Sequence, residues 1–442
     1  MKRRSFLATA MGTATISSGI TGCDENGERS EFVIPHEKSP ETEIGEIDGM
    51  TLKQLRSQYE YDLFEDFIPF ADKYIVDDEY GGFIYYIDHD GTIFSTDKES
   101  SRMGRGIWLY SYLYNNHEKK DSYLDIATKA VKFILKDQPT GDNYWPDRWT
   151  REGEIMLAGK GIHGDNYIAE GLAEYAKATG ERKYMDLAKE TNFKTLKLYD
   201  KADFRDNQSR ITGGRHSWHS LLFLWFATST LLYEPDADLE KQADRMIDEL
   251  MNFHQNPEFD LFNDVINHDL SRCEDPKYSQ QGGCIHAKEV YWMMMYEAER
   301  RKDKKLFDLV AKRFKRHSVV SRDDVYGGMF GDLLNVDENI WSLRKIWYSM
   351  EFILQGTLLI IEHTGDQWAK EMFRDQFVYM QEKFTLKQYG YPLWIRVTDR
   401  KASSLPKCTK KDIYHHPRHL MLNLQCINRI LERGGKVSDV FG

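Results

Sequence analysis

A repeat constrains this chain more than any other feature. Five short junctions between helical segments look alike: Asp121-Ser-Tyr123-Leu-Asp-Ile-Ala, Glu181-Arg-Lys-Tyr184-Met-Asp-Leu-Ala, Asp238-Leu239-Glu-Lys, Asp303-Lys-Lys-Leu306-Phe-Asp-Leu and Asp366-Gln-Trp368-Ala-Lys. Their apolar anchors, at 123, 184, 239, 306 and 368, lie 61, 55, 67 and 62 residues apart. A helical hairpin recurring at this period means an array that stacks or closes. The first helix opens on a capping box, Thr51-Leu-Lys-Gln54. Leu52, Leu55, Tyr59, Leu63, Phe67 and Phe70 follow at helical spacing. Further helices are predicted at about 101–116, 119–137, 163–180, 182–199, 215–233, 237–253, 284–301, 303–317, 341–364, 367–385 and 415–433, which makes twelve. Five hairpins plus one unpaired helix at each end make six pairs. The expected fold is therefore all-α, a closed six-hairpin toroid or (α/α)6 barrel. An open solenoid would need a polar capping repeat, and none is visible.

The N-terminus reads differently. Arg3-Arg4-Ser5-Phe6-Leu7 resembles a twin-arginine export signal, and Ile20-Thr21-Gly22-Cys23 resembles a bacterial lipobox. The stretch between them is too short and too rich in Thr, Ser and Gly to span a membrane. Residues 1–23 are expected to be a lipoprotein signal with Cys23 lipidated, and 24–48 an acidic tether carrying nine Asp and Glu. Residues 49–442 form the barrel domain. The expected location is the cell envelope, with membrane contact only through the lipid. The net charge of −11 argues against nucleic acid as a partner. Ten Trp, 25 Tyr and 23 Phe suit a carbohydrate ligand, whose C–H faces stack on aromatic rings. Export permits disulfides among Cys273, Cys284, Cys408 and Cys426, but no CxxC pair suggests zinc.

Long polar connections lead into every second helix, and the unusual side chains cluster there. They are Arg102, Arg105 and Trp108; His163, Asp165 and Asn166; Arg215, His216 and His219; His286, Glu289 and Trp292; Arg344, Lys345, Trp347 and Glu351; and His415, His416, Arg418 and His419. In a toroid these helices form the inner ring, and their N-termini face one basin. Helix N-termini there suit negative charge developing on a substrate oxygen. His216, His268 and His419 read as packed or solvated, and Arg344 as structural or exposed. Arg102 reads equally as a surface cation or a site residue. His286 and Glu289, at i, i+3, share a helix face, where the carboxylate could hold the imidazole in one tautomer. A metal would need three converging ligands, for which His286, Glu289 and His219 are the candidates; none is expected. No nucleophile elbow, P-loop or dinucleotide fingerprint is present.

Taken in order, these motifs resemble the N-acylglucosamine 2-epimerase family of sugar epimerases and isomerases, from about residue 60 to 432. The segments are Gly81-Gly-Phe-Ile-Tyr-Tyr-Ile-Asp-His-Asp-Gly91, Arg102-x-x-Gly-Arg105-x-x-Trp108, Asp165-Asn166 with Gly171–Gly180, His286-Ala-Lys-Glu289-x-x-Trp292, Lys345-x-Trp347-x-x-x-Glu351, Trp394-x-Arg396-Val and His415-His-Pro-Arg418. The resemblance implies the same barrel, a reducing sugar as substrate, and no obligatory metal or redox cofactor. It implies proton transfer at C2 through an enediolate by His286 and His415, with Glu289 supporting His286 and Arg105 stabilising the oxyanion. His219 would help open the ring or bind a hydroxyl. Asn166, Trp108, Trp347, Glu351, Trp394, Arg396 and Arg418 would contact the sugar. Two departures bear on which sugar is read. His219 continues Ser220-Leu-Leu-Phe223 where the family has Leu-Leu-Glu-Ala, and Arg215-His-Ser-Trp218 replaces Asn-Pro or Asn-Thr. A monomer or homodimer is expected. Two other readings remain at this stage. One is a glycoside hydrolase or lyase, whose inverting form needs carboxylates about 6.5–9.5 Å apart, with Asp165, Glu289 and Glu351 available. The other is a silent carbohydrate-binding lipoprotein.

Overall fold

A computed structural model describes residues 43–205, 211–385 and 410–442. Cys23, Trp394, Arg396 and Cys408 lie outside the described residues.

Twelve long helices are present among the described residues: α1 (Leu52–Glu60, continued through π turns to Ile75), α2 (Ser100–Asn116), α3 (Asp121–Ile134), α4 (Ile162–Thr179), α5 (Arg182–Tyr199), α6 (Ser217–Leu231), α7 (Ala237–Asp248), α8 (Cys284–Arg301), α9 (Lys304–Val320), α10 (Trp347–Thr364), α11 (Gln367–Lys383) and α12 (His415–Glu432). The capping box forms: Gln54 N donates to Thr51 Oγ1 (3.2 Å) and Thr51 N to Gln54 Oε1 (3.1 Å). Acids cap three of the five outer helices that follow these junctions, while α3 and α5 start without a side-chain cap. Asp303 accepts from Leu306 N (3.0 Å) and Asp366 from Ala369 N (2.8 Å), while at the third junction Asp236, two residues before Asp238, is the cap.

Neighbour contacts run α2–α4–α6–α8–α10–α12 and return from α12 to α2, so the even-numbered helices close a ring. Each odd helix packs outside its partner, and α1 lies on α12 to complete the sixth pair. This is an (α/α)6 barrel. An inner helix meets neighbours on several sides, so its burial runs all round. In α6 every residue from Ser217 to Thr228 is buried. An outer helix buries one stripe; α7 buries Leu239, Gln242, Ala243 and Met246. Each fully buried Leu or Phe on these faces contributes about 1.5–3 kcal/mol. The α2–α4 contact depends on glycine. A Cβ on Gly104 would stand 2.2 Å from the Tyr167 carbonyl carbon, and one on Gly171 would stand 2.5 Å from the Gly104 carbonyl oxygen.

The structure corrects three boundaries. Residues 43–48, assigned to the tether on composition, belong to the domain. Ile44 and Ile47 are fully buried, and Glu46–Ile47 pairs with Met50–Thr51 around Asp48 and Gly49, both at positive φ. The two isoleucines outweigh the acids around them. Residues 341–346 are not helical, and α10 starts at Trp347. Similarly, Arg215–His216 is a short strand paired with Val265–Ile266. Such two- and three-residue antiparallel pairs fold the long connections over the N-terminal end of the inner ring. No described helix is long and apolar enough to cross a membrane. Cys273, Cys284 and Cys426 are free thiols.

Candidate active site

Each outer helix returns the chain, so all six inner helices run the same way and begin at one end. Two of the histidines in those first turns are each held by an aspartate. His286, on α8, keeps 32% of its side chain exposed, and its Nδ1 bonds Asp264 Oδ1 at 2.9 Å. Asp264 is delivered by the Val265–Ile266 pairing. Its carbonyl accepts from Ser217 N (2.9 Å) at the head of α6, and its Oδ1 accepts from Ser217 Oγ. Gly283 lets this loop close, since a Cβ there would lie 2.9 Å from Asp264 Cβ.

His415 opens α12 and repeats the arrangement. Its Nδ1 bonds Asp412 Oδ1 at 3.0 Å, while Asp412 Oδ2 accepts from Tyr414 N (3.2 Å) and His416 N (2.9 Å). The ring stacks on Tyr348, with centroids 5.0 Å apart, and meets the edge of Trp347 at 5.8 Å. In both dyads the carboxylate fixes the tautomer. Nε2 of each ring has no hydrogen-bond partner among the described residues.

The two imidazoles titrate in opposite directions. Burial works against a charged His286, but the Asp264 carboxylate, with Asp332 and Glu289 behind it, overrides that and pushes its pKa up to about 9. For His415, burial outweighs Asp412 and is helped by the Arg105 and Arg418 charges, so its pKa falls below the ordinary imidazole value. At neutral pH one ring is an acid and the other a base, the pattern that assigns proton-transfer roles.

Cations line the same basin. Arg105 lies 3.9 Å over the Tyr167 ring and 5.1 Å from the Tyr414 ring, with its Nε lacking a hydrogen bond. Arg418, fully buried, donates Nη2–H to Glu289 Oε1 (2.6 Å) and leaves Nε and Nη1 unbonded. Tyr414 OH donates to both oxygens of Glu170 (2.7 and 2.9 Å), which also accepts from Trp225 Nε1 (3.0 Å). Burial raises Glu170 to about 7, against those hydrogen bonds and the Arg418 and Arg105 charges.

Residues 81–418 match the model of the N-acylglucosamine 2-epimerase (GlcNAc 2-epimerase) family. This chain belongs to that family. The N-acylglucosamine 2-epimerase of Mus musculus is 23% identical over 403 residues, covering 87% of this chain and 94% of that protein. The cellobiose 2-epimerase of Dictyoglomus turgidum is 30% identical over 148 residues, 32% of this chain and 36% of that one. The cellobiose 2-epimerase structure from Spirochaeta thermophila superposes with a TM-score of 0.73 at 16% identity, over 86% of this chain and 98% of that one. That likeness shows the shared barrel.

Within this N-acylglucosamine 2-epimerase family member, the structure brings His286, His415, Glu289, Arg105, Trp347 and Arg418 to one basin. Glu289 does not hold His286; it is the counter-ion of Arg418, and Asp264 holds the histidine. The other expected contacts face packed walls. Asn166 accepts from Thr195 Oγ1 (2.9 Å) and ties α4 to α5. Trp108 is 2% exposed and stacks on Tyr112. His219 is fully buried against Tyr199, Phe204 and Trp218. Glu351 is fully buried and bonds His416 Nδ1 at 2.5 Å. Asp264, Asp412, Tyr414 and Glu170 were not singled out in the sequence. Only Asp412, three residues before His415, carried a local signal.

His286, Glu289 and His219 do not share a metal site, since each has the partners just described. Among the described residues another trio, Glu351, His416 and His419, has potential ligand atoms within 4.8 Å of one another. Burial and nearby Asp412 raise Glu351 well above its ordinary value, while burial drops His416 to about 3 and also holds His419 well below the ordinary imidazole value. Burial thus disfavours the charged form of all three, and the trio is a buried hydrogen-bonded network built on the Glu351–His416 contact. His419 completes it by pairing Nε2 with Tyr59 OH at 3.0 Å.

Proposed function

We propose that this protein is a sugar 2-epimerase acting on the reducing end of a carbohydrate. The observation that carries this reading is the pair of Asp-held histidines, one charged and one neutral at pH 7, each with an Nε2 that has no hydrogen-bond partner among the described residues. With the sugar ring open, His415 Nε2 takes the proton from C2, next to the aldehyde carbon. The C–H bonding pair forms the C1–C2 double bond, and the carbonyl electrons move onto oxygen as an enediolate. Arg105 and the free Nε and Nη1 of Arg418 offset that charge in a water-poor setting. His286 returns a proton to C2 from the opposite face, which inverts the centre. The two imidazoles have then exchanged protonation states, and solvent resets them. A proton delivered to C1 instead gives the ketose.

The hydrolase reading requires a free pair of carboxylates. Asp165 is fully buried, accepting from Trp145 N (3.0 Å) and paired with Lys194 (2.8 Å); Glu289 is bound to Arg418 and Glu351 to His416. This supports the epimerase over the hydrolase. Deuterium incorporation at C2 of glucose, N-acetylglucosamine and cellobiose in heavy water tests the reading. Exchange that disappears in His286→Asn and His415→Asn is expected. Release of new reducing ends without exchange would refute it.

The N-terminal motifs support export and lipidation at Cys23, with a tether ending near residue 42 rather than 48. An envelope enzyme would meet glycan fragments bearing a reducing end. Radiolabelled palmitate should enter the full chain and not Cys23→Ser; equal labelling would overturn the anchor.

A further inference from the structure

Three guanidiniums stand on the α2–α12 side of the basin, and two have tasks. Arg418 is paired with Glu289, and Arg105 lies flat on Tyr167 where the enediolate would form. Arg102 is left over. It is half-buried in the first turn of α2, with its guanidinium 4.9 Å over the Tyr85 ring and its Nε shut away from solvent without a partner. Among the described residues it makes no hydrogen bond and no ion pair. The carboxylates nearby are committed elsewhere. Asp412 serves His415 and the amides of Tyr414 and His416, and Glu99 accepts from Tyr86 OH and from Arg148 (3.1 Å). Lys410 adds a further cation over the Tyr86 ring at 4.8 Å. Burial and the charge of Arg105 both weaken Arg102's hold on its proton. A half-buried cation held next to another cation, with Asp412 and Glu99 near but in ion pair with neither, is unfavourable until a ligand supplies the missing charge.

We propose that the substrate is an acidic reducing sugar and that Arg102 binds its oxyanion, a carboxylate or a phosphate or sulfate ester, at the end remote from C2. A guanidinium fork suits a bidentate contact with such a group. Residues three apart on a helix have Cβ atoms about 5–6 Å apart. With Arg105 at the enediolate, that spacing places Arg102 near the far end of a six-carbon chain. The inference rests on the epimerase reading for the position of C2, but not for the presence of an anion site.

Two measurements separate the two ideas. C2 deuterium exchange with glucose, glucuronate, glucose 6-phosphate and glucose 6-sulfate compares kcat/KM between acidic and neutral sugars. At least one acidic sugar is expected to exceed glucose about tenfold at low salt, with the advantage shrinking as salt screens the charge. Arg102→Gln should cut the acidic-to-neutral ratio about tenfold, mainly through KM, and Arg102→Lys should recover part of it. The three anions show which oxyanion the site takes. Calorimetric binding of the same sugars reads the cation without turnover. Tighter binding of an acidic sugar that Arg102→Gln abolishes supports the anion site even where no sugar exchanges, a result that would sink only the epimerase reading. Equal binding of acidic and neutral sugars, or an Arg102→Gln variant with an unchanged ratio, overturns the proposal.

Discussion

Replacing Asp264 by Asn tests the acid of the proposed pair with little change of shape. The carboxylate does two things to His286: it holds Nδ1 at 2.9 Å and it sets the pKa of about 9. An amide supplies no charge, so burial, already the largest influence on this ring, takes over. The folded pKa should fall to the ordinary ~6.5 or below, leaving at most about a quarter of the rings protonated at pH 7. The amide can also donate to Nδ1 and select the wrong tautomer. Proton transfer by a positioned group contributes about 10²–10⁴-fold, so kcat/KM should drop about 10³-fold, or ~4 kcal/mol. The assay is the pH profile of C2 exchange. In the native enzyme it should rise through the depressed pKa of His415 and fall near 9. In Asp264→Asn the alkaline limb should move below pH 7. A variant whose alkaline limb stays near 9, with kcat/KM within about threefold of native, would refute the acid role of His286.

The same linkage acts on stability. His286 has a higher pKa folded than unfolded. Its contribution is therefore fully present below the unfolded value of ~6.5 and is lost as pH rises through about 9. The upper bound is about 3 kcal/mol, and the real figure is smaller because a third of the ring meets water. Native Tm should thus fall between pH 6.5 and 9 more than that of Asp264→Asn, as calorimetry would show.

Arg418→Met strands Glu289 without its cation, so denaturant melts should show a loss of about 3–5 kcal/mol; a loss under about 1 kcal/mol would mean that water already reaches the pair. Glu351→Gln keeps the shape of a carboxyl group whose charged form burial already disfavours. Its melting curve should lie within about 1 kcal/mol of native, whereas Glu351→Ala leaves His416 Nδ1 without its partner and should lose about 1–3 kcal/mol or more. Gly104→Ala drives a methyl against the Tyr167 backbone, which cannot yield as a side chain can, so the α2–α4 contact should open at a cost of at least about 1–3 kcal/mol. Ala at Gly141, where a Cβ meets nothing within 4 Å, is a control limited to its positive φ.

The barrel was legible because its signals are local. Capping acids such as Asp303 and Asp366, the Thr51–Gln54 box and the apolar anchors all lie within one turn of the helix starts they define. The two histidines were legible through the order of motifs around them. What fixes them was less so. Asp264 lies 22 residues before His286, and only the pairing of Val265–Ile266 with Arg215–His216 brings it there. Helix spacing pointed to Glu289 as the partner of His286, yet Glu289 meets Arg418 across the bore, 129 residues away. A permanently charged guanidinium is a stronger partner for a buried carboxylate than an imidazole that already has one. Glu351 was expected at the sugar for its motif, but it faces inward to His416, a choice that the sequence of α10 alone does not reveal.

The two dyads share one design and differ in their surroundings, and that difference sets a direction. His286 stands beside Asp264, Asp332 and Glu289; His415 stands beside Asp412, Arg105 and Arg418. Negative charge thus collects at α8 and positive charge at α2 and α12. Under the proposed mechanism the base lies on the cationic side, where the enediolate charge appears as the proton leaves. The acid lies on the other side, kept charged by carboxylates that would repel an enediolate drifting toward them. Exchanging these surroundings would place the oxyanion against Glu289 and Asp332 at the moment it forms. The arrangement places the base where the oxyanion forms, and because removal from either epimer needs the same single proton on the pair, the two C2 epimers should share one bell-shaped pH profile for exchange. Profiles that differ in shape would mean that the two rings do not act as one acid–base pair.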